Sequence, residues 1–311
     1  MNRLTRTLLS IVTVGLVALV GCERSDSNQG IDPQTTGAGG TNPACAAFQY
    51  ADTVFYYREQ TTPYLELPTT AQSGTYGTYP QGLSINAATG AINVNASESG
   101  LKYRVWFVKT GTADTCTRYV TISGVNYTSK VYQLSANDTL ARPFYNAIRA
   151  LAPPCSDDDD DDDDDDEEED EDDDDDDDDD NCEFDDGRDD DDGDGLGDEP
   201  PAGQEVIPQG IAINKLDGII DLRQTVNNGT FGTTPVNGSS KSVRIYYRLN
   251  DASNKTLNHI DVTFHWYATL SQVPASLLSQ ITTKTGATLR VAATSLAASR
   301  PRPPDIVLVG R

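Results

Sequence analysis

The sequence predicts an all-β protein: two antiparallel β-units, one on each side of an acidic insert that cannot fold on itself. Three observations predict this. Gly, Thr, Ser, Asn and Tyr are plentiful, Met occurs once, and aliphatic helix periodicity is scarce, a composition suited to short strands and many turns. Apolar and polar residues alternate from Leu101 to Val108. The half before the acidic run Asp157–Asp180 is also matched by the half after it.

Residues 1–21 read as a secretion signal, with Arg3 and Arg6 ahead of an apolar core from Leu8 to Val20. That core is short for a membrane span. It ends Leu19-Val20-Gly21-Cys22, which resembles a bacterial lipobox. The resemblance implies cleavage before Cys22, lipid on its sulfur and a membrane partner reached through the lipid anchor. Glu23 stands where retention in the inner membrane usually shows Asp, which directs the expectation to the outer membrane or cell surface. Residues 22–43 are rich in Ser, Asn, Gly and Thr and read as a flexible tether.

Cys22 aside, four cysteines remain, and an exported compartment permits disulfides. Four allow three pairings. One arrangement joins Cys45 to Cys116 within the first half and Cys155 to Cys182 across the acidic run.

The first unit is expected over 44–152. Phe48–Arg58 suits a strand, and Thr61–Gly77 is turn-rich. Leu83 and Ile85 alternate with polar neighbours, as do Ile92 and Val94 on the return, and Asn86–Gly90 supplies a turn former and a Gly free to take positive φ. Leu101, Tyr103, Val105 and Phe107 are expected to face a core, with Lys102, Arg104 and Trp106 outward. Tyr119–Val125 is the partner strand. Pro143 is placed to open a short helix carrying Phe144, Ile148 and Leu151 on one stripe.

The second unit is expected over 202–311. Pro208–Asn214 with Asp217–Leu222 repeats the first hairpin at an offset of 128, and Val243–Tyr247 repeats Tyr103–Phe107 at 140. Ile260, Val262 and Tyr267 continue that offset over Val120, Ile122 and Tyr127. The added residues fall near Asn227–Ser240. A short helix is expected at Ser276–Ile281, a stiff connector at Arg300–Pro304 and a buried last strand at Ile306–Val309. Both hairpins resemble the Pro-x-Gly-Leu-x-Ile signature of immunoglobulin-like and cadherin-like domains of bacterial surface proteins. The resemblance implies immunoglobulin-like β-sandwich units with adhesive or spacer roles. Two packed units, or one larger sandwich with the acidic run as an inserted loop, both satisfy the pattern.

Residues 153–201 are read as a linker. The chain's net charge is −26, but 34 of its 49 Asp and Glu lie between 157 and 199 with one of its 23 Lys and Arg. The remainder therefore carries 15 acids against 22 bases. The insert has almost no apolar surface to bury and repels itself, so it is expected to be disordered and to gather divalent cations. Asp190, Asp192 and Asp194, the Leu196 carbonyl and Asp198 occupy positions 1, 3, 5, 7 and 9 of a twelve-residue calcium loop, with Gly195 at the sharp turn. Position 12, which should be a bidentate carboxylate, is Pro201. With its Asn181-Cys182 lead-in, the stretch resembles a thrombospondin type 3 repeat of calcium-binding surface proteins. The missing ligand sets the expected Kd for calcium at roughly 10⁻⁴–10⁻³ M.

No catalytic constellation is visible. His259 and His265 are too far apart to chelate one ion, no Cys pair has zinc spacing, and there is no phosphate-binding loop or nucleophile elbow. The expectation is a non-enzymatic surface protein of structural or adhesive role, with no nucleic-acid partner. The alternative is a carbohydrate-binding surface lipoprotein using the basic-aromatic faces Arg104–Trp106 and Arg244–Tyr246, with a glycan or a surface protein as partner.

Overall fold

The computed structural model describes residues 43–155, 182–185, 203–289 and 300–310. All of them belong to one compact unit, Gly39–Arg311. The protein is all-β, with three α-helices and two short 3-10 helices among the described residues. In chain order the elements are α1 Pro43–Ala47, β1 Val54–Phe55, β2 Leu65–Glu66, β3 Gly74–Tyr79, β4 Ser84–Ile85, β5 Ile92–Asn93, β6 Leu101–Lys109 and β7 Thr115–Ile122. There follow β8 Val125–Tyr127, β9 Lys130–Gln133, β10 Leu140–Ala141, β11 Pro143–Tyr145, β12 Glu183–Phe184 and β13 Ile220–Asp221. The remainder is α2 Leu222–Asn227, β14 Ser240–Arg248, β15 Asn258–Tyr267, α3 Ala275–Leu289 and β16 Asp305–Val309.

Among the described residues two large hydrophobic cores, with a smaller cluster under α3, divide the strands. The first holds Phe48, Tyr76, Leu101, Tyr103, Val105, Phe107 and Ile122 beneath the sheet β1-β7-β6-β3. Leu101, Tyr103, Val105 and Phe107 are each fully buried, so the alternation sets the inward face of β6. The second core holds Phe184, Ile211, Ile220, Leu222, Ile245, Tyr247, Ile260 and Phe264 beneath the sheet β12-β14-β15-β16-β9.

The change of core comes between Ile122 and Val125, not at residue 152. Strand β9 lies in the second sheet and β10 pairs with β13. Leu140 sits opposite Asp221 as Leu65 sits opposite Asn93, so β10 copies β2. Strand β12 pairs with β14 as β3 pairs with β6. The second module thus begins near residue 124. Cys155 and Cys182, the described residues that flank the acidic run, both join the second core, between β11 and β12.

The repeated hairpins share their turn bonds. The Asn86 amide donates to the Ala91 carbonyl and Gly90 to Asn86, each at 2.8 Å; Asn214 donates to Ile219 at 2.9 Å and Gly218 to Asn214 at 3.0 Å. Side-chain oxygens of Asn86 and Asn214 accept from Ala88 and Leu216, both at 2.9 Å. Gly90 and Gly218 take φ of +75° and +70°, which the turn requires. The offset of 140 holds for β14 but not for β15. Tyr103 faces Val120, whereas Val243 faces Val262, so β15 follows β7 at 142. A slip of two residues leaves the inward face unchanged, which is why the patterns still align.

Three local expectations are corrected. Pro143–Tyr145 is a strand, because Asn146 and Ala147 take positive φ and turn the chain; Ile148 and Leu151 are exposed. Within Phe48–Arg58 only Val54–Phe55 is strand. Helix α3 extends to Leu289, presenting Leu277 and Ile281 to Val307 and Val309 of β16. The residues added near Asn227 include α2, capped by the Asp221 carboxylate, which accepts from the Gln224 amide at 2.8 Å.

The modules meet through polar groups. Ser99 of the first is 3.0 Å from the Tyr247 hydroxyl and donates to Asn258 at 3.1 Å. Ser123 of the first donates to the Asp251 carboxylate of the second at 2.8 Å. Arg300 of the second pairs with Glu98 of the first at 2.7 Å, and buried Arg302 donates to the Ser99 hydroxyl at 3.5 Å as well as to the Val125 carbonyl of its own module. Gly124, at the crossing, has φ +141°, and a Cβ there would lie 2.6 Å from the Tyr247 hydroxyl.

Candidate functional site

The acidic insert is rooted in the second core at two successive points. At the first, β11 leads through Leu151–Pro154 to Cys155, which is bonded to fully buried Cys182 with Cα atoms 4.9 Å apart. This bond closes a loop over the acidic run. Cys45 and Cys116 are likewise bonded, tying α1 to β7.

The second root follows at once. Phe184 stacks on Tyr247 with ring centres 5.7 Å apart, and its ring fills the space above Gly218, where a Cβ would approach to 2.5 Å. Phe184 also donates its amide to the Lys215 carbonyl at 2.7 Å. Asp185 then turns the chain with φ +54°. Its buried carboxylate accepts from the Val206 amide at 2.7 and 2.8 Å and from the Ile207 amide at 2.7 Å. One carboxylate therefore pins the start of a loop to its end. Burial raises the Asp185 pKa above the ordinary carboxylate value, against the lowering effect of the two amides. Glu183 is paired with Arg248 at 3.5 Å beside it.

The calcium-loop residues Asp190, Asp192, Asp194, Leu196 and Asp198 fall between these pinned ends but lie outside the described residues, as do Cys22 and the run Asp157–Asp180. Among the described residues no three His, Cys, Asp or Glu side chains converge to hold a metal ion, and no helix is long and apolar enough to cross a membrane.

The basic-aromatic residues do not form one face. Arg104 is buried, its guanidinium 5.6 Å from the Tyr79 ring centre, and Trp106 packs over Gly77 at the first sheet's edge. Arg244 lies in the other sheet and is held by Asp261 through two bonds of 2.7 and 3.0 Å, which lower the Asp261 pKa. Buried Tyr246 donates to Gln204 at 2.8 Å and lies 5.8 Å from the His259 ring. Burial, then the charge of Arg244, lowers the His259 pKa.

Sequence reasoning missed Asp185, one acid among dozens, and Asp305. The latter is buried and joins β16 to its surroundings. Lys284 lies 2.6 Å from one carboxylate oxygen and Gln280 donates to it at 3.0 Å, while His265 lies 3.2 Å from the other. Burial pushes the Asp305 carboxyl up, but hydrogen bonds from His265 and Lys284 outweigh that and leave it below the usual value.

No family model matches the chain, and no curated protein matches it. Among solved structures, human protocadherin-24 EC1-2 aligns with a TM-score of 0.18 and 8% identity over 70% of this chain and 96% of that one. Extracellular domains 3-5 of Drosophila OTK align with a TM-score of 0.17 and 11% identity over 69% and 63%. At these scores the likeness does not extend to a shared chain path.

Proposed function

We propose that this chain is a non-enzymatic, lipid-anchored protein of the outer membrane or cell surface, in which two β-modules display a cation-responsive acidic loop. Its role on this reading is structural or adhesive. The observation that carries it is the double anchorage of the insert, by Cys155–Cys182 and by Asp185. A carboxylate-dense segment with fixed ends confronts cations with many negative charges whose repulsion they relieve. Two disulfides suit an oxidising compartment, and the lipobox-like Cys22 suits a lipid anchor. Asp190, Asp192, Asp194, Leu196 and Asp198 are the proposed calcium ligands.

Isothermal calorimetry with calcium tests this. The expected result is weak binding, Kd roughly 10⁻⁴–10⁻³ M, as in extracellular modules, with the saturable part removed by Asp190→Asn with Asp192→Asn. Absence of calcium heat in the parent chain would reduce the insert to a spacer.

A further inference from the structure

The parallel strand beside the last antiparallel strand comes from different places in the two modules. In the first, β1 pairs directly with β7: Val54 faces Thr121, and the Thr121 amide donates to the Thr53 carbonyl at 2.8 Å. In the second, β15 follows β7 at an offset of 142, so Thr263 is the counterpart of Thr121. Thr263 faces Asp305, and its amide donates to the Pro304 carbonyl at 3.0 Å. Strand β16 therefore stands in the place of β1, with Pro304-Asp305-Ile306 over Thr53-Val54-Phe55. The strand that precedes β10 as β1 precedes β2 is β9, and it has been moved one position outward, to the far edge of β16.

This seat has a built character. It is bordered by strand backbone on both sides, each in parallel register. Ile306 and Leu308 enter the second core, Val307 and Val309 enter the cluster under α3, and all four are fully buried. Asp305 fixes the register through Lys284, Gln280, His265 and the Ser129 hydroxyl, which accepts from the Asp305 amide at 3.0 Å. No tight turn sets this register, because the chain reaches β16 only after α3 and residues 290–299.

We propose that the groove between β9 and β15 is a strand-acceptor site, and that its second occupant is β16 of another copy of this chain. An exchanged strand makes the same contacts as the resident one, so exchange costs little beyond association. The copy is the partner because the seat selects an apolar strand led by an aspartate, and every copy carries that strand.

The test uses full-length chains with two different tags, co-expressed and exported, one carrying Val131→Cys and the other Val307→Cys. These positions face each other across β9 and β16, so a bond between the introduced thiols of differently tagged chains forms only by exchange. Gln133→Cys with Val309→Cys, the next matched pair, serves if the first pair does not fold. A single chain carrying both substitutions reports the bond formed within one copy. The proposal predicts a species of twice the monomer mass on a non-reducing gel, with the linking peptide joining the two tags and its fraction rising with expression level. Bonding confined to the doubly substituted chain, with the mixed pair monomeric at every level, would overturn it.

Discussion

The two modules share a hairpin but differ in what has been inserted into them. The first is closed by strands from one continuous stretch of chain, β1 to β7. The second has an acidic loop where the first has only residues 67–73, and the place of β1 is filled by β16 from the far end of the described chain. The added parts of the second module include its charged insert, α2, α3 and its late-arriving strand. What stays constant is the locally encoded frame: the Asn-to-Gly turn, the inward face of the long strands and the aromatic that covers the turn glycine.

The largest effect expected from breaking this comparison is loss of a disulfide. The Cys45–Cys116 bond spans 71 residues and Cys155–Cys182 spans 27. Loop-closure entropy makes them worth about 4.4 and 3.6 kcal/mol. Urea unfolding of the two double Cys→Ala variants should reproduce that order. A next step compares Phe55→Ala with Ile306→Ala, which occupy equivalent buried positions. Each should cost about 3 kcal/mol, and hydrogen exchange should show the first core loosened by one and the second by the other. An effect of Ile306→Ala confined to the first core would break the assignment of β16 to the second.

Smaller and more nearly equal effects are expected at the turns. A Cβ at Gly90 would lie 2.7 Å from the Tyr76 ring and at Gly218 2.5 Å from the Phe184 ring, both at positive φ. Gly90→Ala and Gly218→Ala should each cost about 2 kcal/mol in thermal unfolding. The smallest effect is acid dependence, where two buried aspartates run in opposite directions. The folded pKa of Asp305 is lowered. Its contribution is therefore present above the unfolded value of about 3.9 and is lost as pH falls through the folded value. The folded pKa of Asp185 is raised, so its contribution is fully present below about 3.9 and is lost as pH rises through the folded value. Stability measured from pH 6 down to 2 should fall less steeply in Asp305→Asn and more steeply in Asp185→Asn.

Much of the frame was legible because it is local. Asn86–Gly90 and Asn214–Gly218 carry their turn chemistry within five residues, and Leu101 to Phe107 carry their inward face by alternation. Long-range pairing was not. Ile306–Val309 read as a buried strand, but nothing in those residues names Thr263–Tyr267 and Lys130–Gln133 as its neighbours. The boundary near residue 124 was hidden because β9 and β10 resemble β1 and β2 too weakly in sequence to show an offset. Asp185 could not be separated from the acids around it, since its role depends on the Val206 and Ile207 amides closing over it. Arg302 read as part of a stiff connector, although it is a buried donor to Val125.

The second module holds the acidic insert at both ends, by Cys155–Cys182 and by Asp185, and the proposal is that divalent cations act on it. Small-angle X-ray scattering of the full chain, with and without millimolar calcium, tests it most directly. The expected result is a smaller maximum dimension in calcium and no change in a chain lacking residues 157–180 and 190–199. Identical profiles of the full chain under both conditions would contradict it.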